Sequence, residues 1–168
     1  MVLVVAGLCL AGLIAGCSKQ ANALDEAGTE RAVGRAVAAR VQPTVNATTC
    51  DGDLTKGKGR HFTCTVTLGG KAGTLPVVVR QVDDEGTLRV TPRAAVVSDA
   101  AIARQLKASL TKQFGRSFQV DCGDSGYRVR AKGSTSTCKA RDRTSRRTVT
   151  VTVTDTDGTL SFEVGPAA

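Results

Sequence analysis

The residues of this 168-residue chain best able to do covalent chemistry are its six cysteines, and their spacing limits what they can do. Cys9 and Cys17 stand near the start, while Cys50, Cys64, Cys122 and Cys138 are spread through the body of the chain. No pair has the C-x-x-C spacing of a metal site, and His61 is the single histidine, so no metal and no cofactor are expected. A Ser-His-Asp or Cys-His nucleophile would have to be built around His61 alone. His61 opens the run HFTCTVTL, in which Phe62, Cys64, Val66 and Leu68 fall on one face, and this makes it an outward-facing strand residue.

The carboxylates read the same way. Asp83-Asp84-Glu85 precedes Gly86, and Asp155 and Asp157 precede Gly158, so both clusters have the composition of tight turns. Neither has the downstream Glu of a calcium loop, and no Gly-rich phosphate loop precedes a helix. An enzyme is therefore not expected.

The basic residues are the remaining candidates. The formal net charge is +8. Arg128, Arg130 and Lys132 alternate as strand residues do, which puts all three on one face, and Lys139, Arg141 and Arg143 repeat the pattern, with Arg146 and Arg147 following at a turn. If the two segments pair as neighbours, they form one positive face suited to anionic lipid head groups or an acidic wall polymer. Nucleic acid is not an expected partner, because four Phe, one Tyr and no Trp leave too few rings to stack bases between the charges.

The start of the chain gives an address. MVLVVAGLCLAGLIAG carries no charge and is too short to span a bilayer comfortably, but it suits the apolar region of a signal peptide. Ile14, Ala15 and Gly16 directly before Cys17 resemble the lipobox of bacterial lipoproteins, in which the Cys thiol is diacylated and the peptide is cut just before it. The resemblance implies a lipid on Cys17 and an extracytoplasmic protein held to the outer face of the cell membrane. Residues 2–16 contain no Lys or Arg, which leaves open a true start upstream of Met1.

With Cys9 in the signal and Cys17 acylated, four cysteines remain, and an even set in an exported chain reads as disulfides. A duplication selects the pairing. Adding 72 to Cys50, Gly86 and Leu88 gives Cys122, Gly158 and Leu160, and Val33, Val37 and Val41 match Leu106, Leu110 and Phe114 at an offset of 73. A unit that once folded alone had two cysteines, so Cys50 pairs with Cys64 and Cys122 with Cys138.

Each copy has the same internal order. A helix is expected from about Glu30 to Arg40, ending before Pro43. A second is capped by Ser98, carries Ile102, Leu106, Leu110 and Phe114 four apart, and stops at Gly115. Strands follow each helix. The expected fold is α+β: two tandem copies of one N-terminal helix packed on a three- to four-stranded antiparallel sheet, each closed by a disulfide. Residues 1–16 are the signal peptide, 17–25 a lipidated tether, 26–97 the first repeat and 98–168 the second.

The order helix, Cys, Gly-Arg-His-Phe-Thr-Cys-Thr-Val, Val/Thr strand and Asp-Gly turn resembles a small two-cysteine domain of unknown function, the 4333 type, found in actinobacterial secreted and membrane-anchored proteins. The likeness is close over 26–97 and looser over 98–168, where Ser136 stands in place of Phe62; Asp51 and Gly123 stand where members often have Pro. It implies a fold and an address, and no activity. The expected function is a noncatalytic, lipid-anchored binding or structural module for an anionic envelope component or a protein partner. The alternative is a proteinaceous inhibitor or accessory of an extracytoplasmic enzyme.

Overall fold

A computed structural model of the chain describes residues 23–124 and 126–167. Cys9, Cys17, the expected signal peptide and most of the expected tether lie outside the described residues. The elements in chain order are α1 (Glu26–Ala38), β1 (Val45–Asp51), β2 (His61–Leu68), β3 (Gly73–Gln81), β4 (Leu88–Pro92), β5 (Ala94–Ser98), α2 (Asp99–Phe114), β6 (Gln119–Asp121), β7 (Tyr127–Ala131), β8 (Thr135–Arg141), β9 (Arg146–Val153) and β10 (Leu160–Val164). The result is a mixed α+β protein made mostly of antiparallel strands.

The first sheet has the order β1-β2-β3-β4. Alternation in β2 buries Phe62, Cys64, Val66 and Leu68 and leaves His61 exposed, as its sequence pattern requires. Val33 and Val37 of α1 join these side chains and Leu75, Val77, Val79 and Val90 in one core. Gly34 lets the helix approach β1 closely, since a Cβ there would stand 2.9 Å from Thr48 Oγ1. The helix begins earlier than the expected Glu30, because the Asp25 carboxylate accepts from the Gly28 amide at 2.7 Å and caps it.

The second sheet has the order β10-β9-β8-β6. Ile102, Leu106 and Leu110 of α2 pack on Cys138, Ala140, Val149, Val151 and Val153 in a second core. Ser98 and Gly115 end α2 as expected. Ser98 Oγ accepts from the Ala101 amide at 3.4 Å, and Gly115 turns the chain with a φ of 67°, which a side chain would resist.

A two-stranded ribbon of β5 and β7 joins the two sheets. Its alternation sends Ala94, Val96, Tyr127 and Val129 toward the first core and Ala95 and Val97 into the second. The Val129 amide donates to the Ala72 carbonyl at 2.8 Å, tying the ribbon to the first sheet. Thus β5, which lies before the expected division at 97/98, is paired to a strand beyond it. The smaller counterpart of this ribbon in the first half is the bridge between Ala23 and Thr55, where the Leu24 amide donates to the Leu54 carbonyl at 2.7 Å. Leu24, expected to be tether, therefore packs against the first core.

Both disulfides have the expected pairing, Cys50–Cys64 and Cys122–Cys138. Cys50 and Cys64 stand directly opposite each other on β1 and β2. Cys122 follows β6 and reaches Cys138 on β8.

Candidate anion-binding cleft

The outer face of the second sheet collects the basic side chains. Because Cys138 and Ala140 point into the core, Lys139 and Arg141 point away from it, and on β9 the burial of Val149 and Val151 puts Arg146 and Thr148 on that outer face. Register brings them into rows. Lys139 stands opposite Asp121 on one side and Thr148 on the other, while Arg141 stands between Gln119 and Arg146. The Arg141 Nε donates to Gln119 Oε1 at 2.7 Å, which fixes that guanidinium in place. Two guanidinium groups directly across from each other repel unless a counter-charge sits between them.

An open cleft of 890 Å³ lies here, and its lining includes Lys139, Arg141, Arg146 and Arg147, with Asp121 the acidic residue among them. Arg147, of opposite parity to Arg146, turns its side chain to the core-facing side of the sheet. Its guanidinium lies 4.9 Å from the centre of the Phe114 ring, its Nη1 donates to the Gly165 carbonyl at 3.4 Å, and its buried Nε has no hydrogen-bond partner among the described residues.

An adjoining hollow of 870 Å³ is lined by residues 117–119 and 141–146. Its shape depends on the hairpin that joins β8 to β9. Asp142 holds that hairpin by accepting from the Thr144 and Ser145 amides at 2.8 and 2.7 Å and pairing with Arg116 Nε at 3.0 Å. The Thr144 amide and the neighbouring hydrogen bonds push the Asp142 carboxyl down to about 2, so it remains ionised at ordinary pH. The exposed Arg143 is carried at the tip of this hairpin.

Arg128, Arg130 and Lys132 do not join this surface. β7 pairs with β5, whereas β8 lies between β6 and β9, so the two basic segments are not neighbouring strands. Arg128 and Arg130 do share one face, but that face is turned to the start of α2. Arg128 Nε lies 3.0 Å and Arg130 Nη2 3.3 Å from the carboxylate of Asp99, whose side chain is 3% exposed. These arginines neutralise a buried acid. Lys132 follows β7 in a turn and is exposed. The sequence pattern puts Arg146 and Arg147 at a turn and carries no local signal for Arg116 or Gln119, whereas the structure starts β9 at the Arg-Arg pair that opens the Val/Thr run.

The acidic clusters are turns, as their composition indicated. Asp83 Oδ1 accepts from the Gly86 and Thr87 amides at 3.0 and 2.8 Å, and Asp155 Oδ1 accepts from the Asp157 and Thr159 amides at 2.9 Å each. Hydrogen bonding from Thr87 and from Thr159 holds these two carboxyls below their ordinary range.

Taken as a class, this is an α+β protein of antiparallel sheets with covering helices, closed by two disulfides and bearing a basic cleft on one sheet. The chain belongs to the family described as a domain of unknown function, DUF4333, whose profile matches it twice in tandem, over residues 5–84 and 87–158. No curated protein and no solved structure matches the chain.

Proposed function

We propose that the chain is a noncatalytic lipoprotein of the actinobacterial envelope, acylated at Cys17, whose two units of helix on sheet stand at the outer face of the cell membrane. The second unit offers its basic cleft to an anionic envelope component, either lipid head groups or an acidic wall polymer. The observation that carries this reading is the row of Lys139, Arg141 and Arg146 on the face of the sheet opposite α2, with Asp121 as the nearby counter-charge. A tethered protein already has a high effective concentration at the membrane, so a weak electrostatic site is useful there.

The anchor is tested by mass spectrometry of protein recovered from membranes. A lipid-modified Cys17 at the N-terminus is expected, with release of the protein in Cys17→Ala; an unmodified N-terminus upstream of Cys17 contradicts it. The cleft is tested by flotation of the unacylated chain, from residue 23 onward, with phosphatidylglycerol vesicles. Binding is expected at low salt and loss at high salt, because screening acts over ~10 Å at 0.1 M. Salt-insensitive binding, or none, would set the reading aside.

A further inference from the structure

The two sheets end in corresponding edge strands, β4 and β10, but among the described residues only one of those edges is closed. In β3–β4 the Arg93 amide donates to the Pro76 carbonyl and the Val82 amide to the Thr87 carbonyl, so Arg89 and Thr91 face β3 while the backbone groups of Leu88, Val90 and Pro92 face outward. That edge is blocked twice. Pro92 has no N–H, and the Val90 carbonyl accepts from Arg40 Nη1 at 3.3 Å.

In β9–β10 the Gly165 amide donates to the Thr148 carbonyl and the Thr154 amide to the Thr159 carbonyl, so the outward groups belong to Leu160, Phe162 and Val164. These residues occupy the positions of Leu88, Val90 and Pro92 at an offset of 72. Val164 keeps the N–H that Pro92 lacks, and among the described residues no side chain of α2 reaches the edge as Arg40 does. Phe162 is also only partly buried, whereas its counterpart Val90 is 8% exposed; Leu160 and Val164 are partly buried, as Leu88 and Pro92 are.

We propose that β10 is a docking edge for a second copy of this chain, paired antiparallel through β10 about a two-fold axis at Phe162. The strand is self-complementary in that register. Leu160 meets Val164 of the second copy, Phe162 meets its own equivalent, and each pair exchanges both N–H···O bonds from groups now facing outward. Glu163 falls opposite Ser161 rather than another Glu163, so no like charges meet. The same register carries the exposed Asp157 of one copy alongside the end of the partner sheet where the exposed Arg146 opens β9 beside the end of β10. Acidic turn thus meets basic strand end twice. Lys139 and Arg141 lie two strands from this edge and stay free, so the pairing shares only Arg146 with the anion-binding reading and its backbone bonds do not depend on it.

Sedimentation equilibrium of the full chain in density-matched detergent micelles tests the pairing. A monomer–dimer equilibrium is expected, with Val164→Pro, which copies the block at Pro92, reducing the association constant at least tenfold while far-ultraviolet dichroism and the thermal transition are retained. Asp157→Lys, at an exposed turn position outside the strand, is expected to weaken association severalfold and guards against misreading a folding defect in the proline variant. A parent chain that stays monomeric throughout, or a Val164→Pro chain that associates as the parent does, overturns the proposal.

Discussion

Arg128→Ser combined with Arg130→Ser is expected to lower the unfolding free energy by about 3–5 kcal/mol, the usual cost of stranding a buried charge. Asp99 is 3% exposed and takes its counter-charge from these two guanidinium groups at 3.0 and 3.3 Å. Its position in the first turn of α2 offers some compensation from the helix dipole, worth under about 1 kcal/mol at most sites. That is too little to replace two arginines. Adding Asp99→Asn to the double variant removes the stranded charge and should restore part of the loss, while Lys132→Ser alone should stay within about 0.5 kcal/mol of the parent. Urea denaturation reads all three. A double variant as stable as the parent would mean that the ribbon is not held by this ion pair.

Replacing Cys50 and Cys64 together by Ala is expected to cost about 3 kcal/mol, as is replacing Cys122 and Cys138. The bridges join residues 14 and 16 apart, and closing such short loops restricts the unfolded chain. Each core is small and poor in aromatic bulk, with Phe62 the buried ring of the first and Phe118 of the second, so a loss of this size is a large share of the total. Thermal scans of each double variant under oxidising conditions measure it. Unchanged midpoints would contradict the view that the staples compensate for small cores.

The disulfide pairing was legible because duplication constrains partners more tightly than local pattern does. Strand faces were legible too: the period-two burial of β2 and β9 follows from Phe62, Cys64 and Val66, and from Val149, Val151 and Val153. Strand neighbours were not. Arg128 and Arg130 alternate as surface residues would, and nothing local to them reveals that β7 leaves the main sheet to pair with β5 and face Asp99. Asp99 itself reads as a helix-start acid and is one, yet its burial depends on a strand that reaches it from 29 residues away. Arg146 looked like a turn residue until the register placed it across from Arg141. Periodicity assigns a face to a side chain, and only pairing assigns it a neighbour.

We propose that a particular cleft, and not the excess positive charge of the chain, meets an anionic surface. Two variants of the unacylated chain, with equal net charge, separate these. One replaces Lys139, Arg141 and Arg146 by Ser in the cleft, and the other replaces the exposed Lys56, Lys58 and Lys107 by Ser elsewhere. At ~1 kcal/mol for each basic residue near an anionic surface, the cleft variant should bind phosphatidylglycerol vesicles roughly 100-fold more weakly than the parent at low salt, while the matched control should stay within about threefold. Equal losses in the two variants would contradict the account, because net charge alone would then explain the binding.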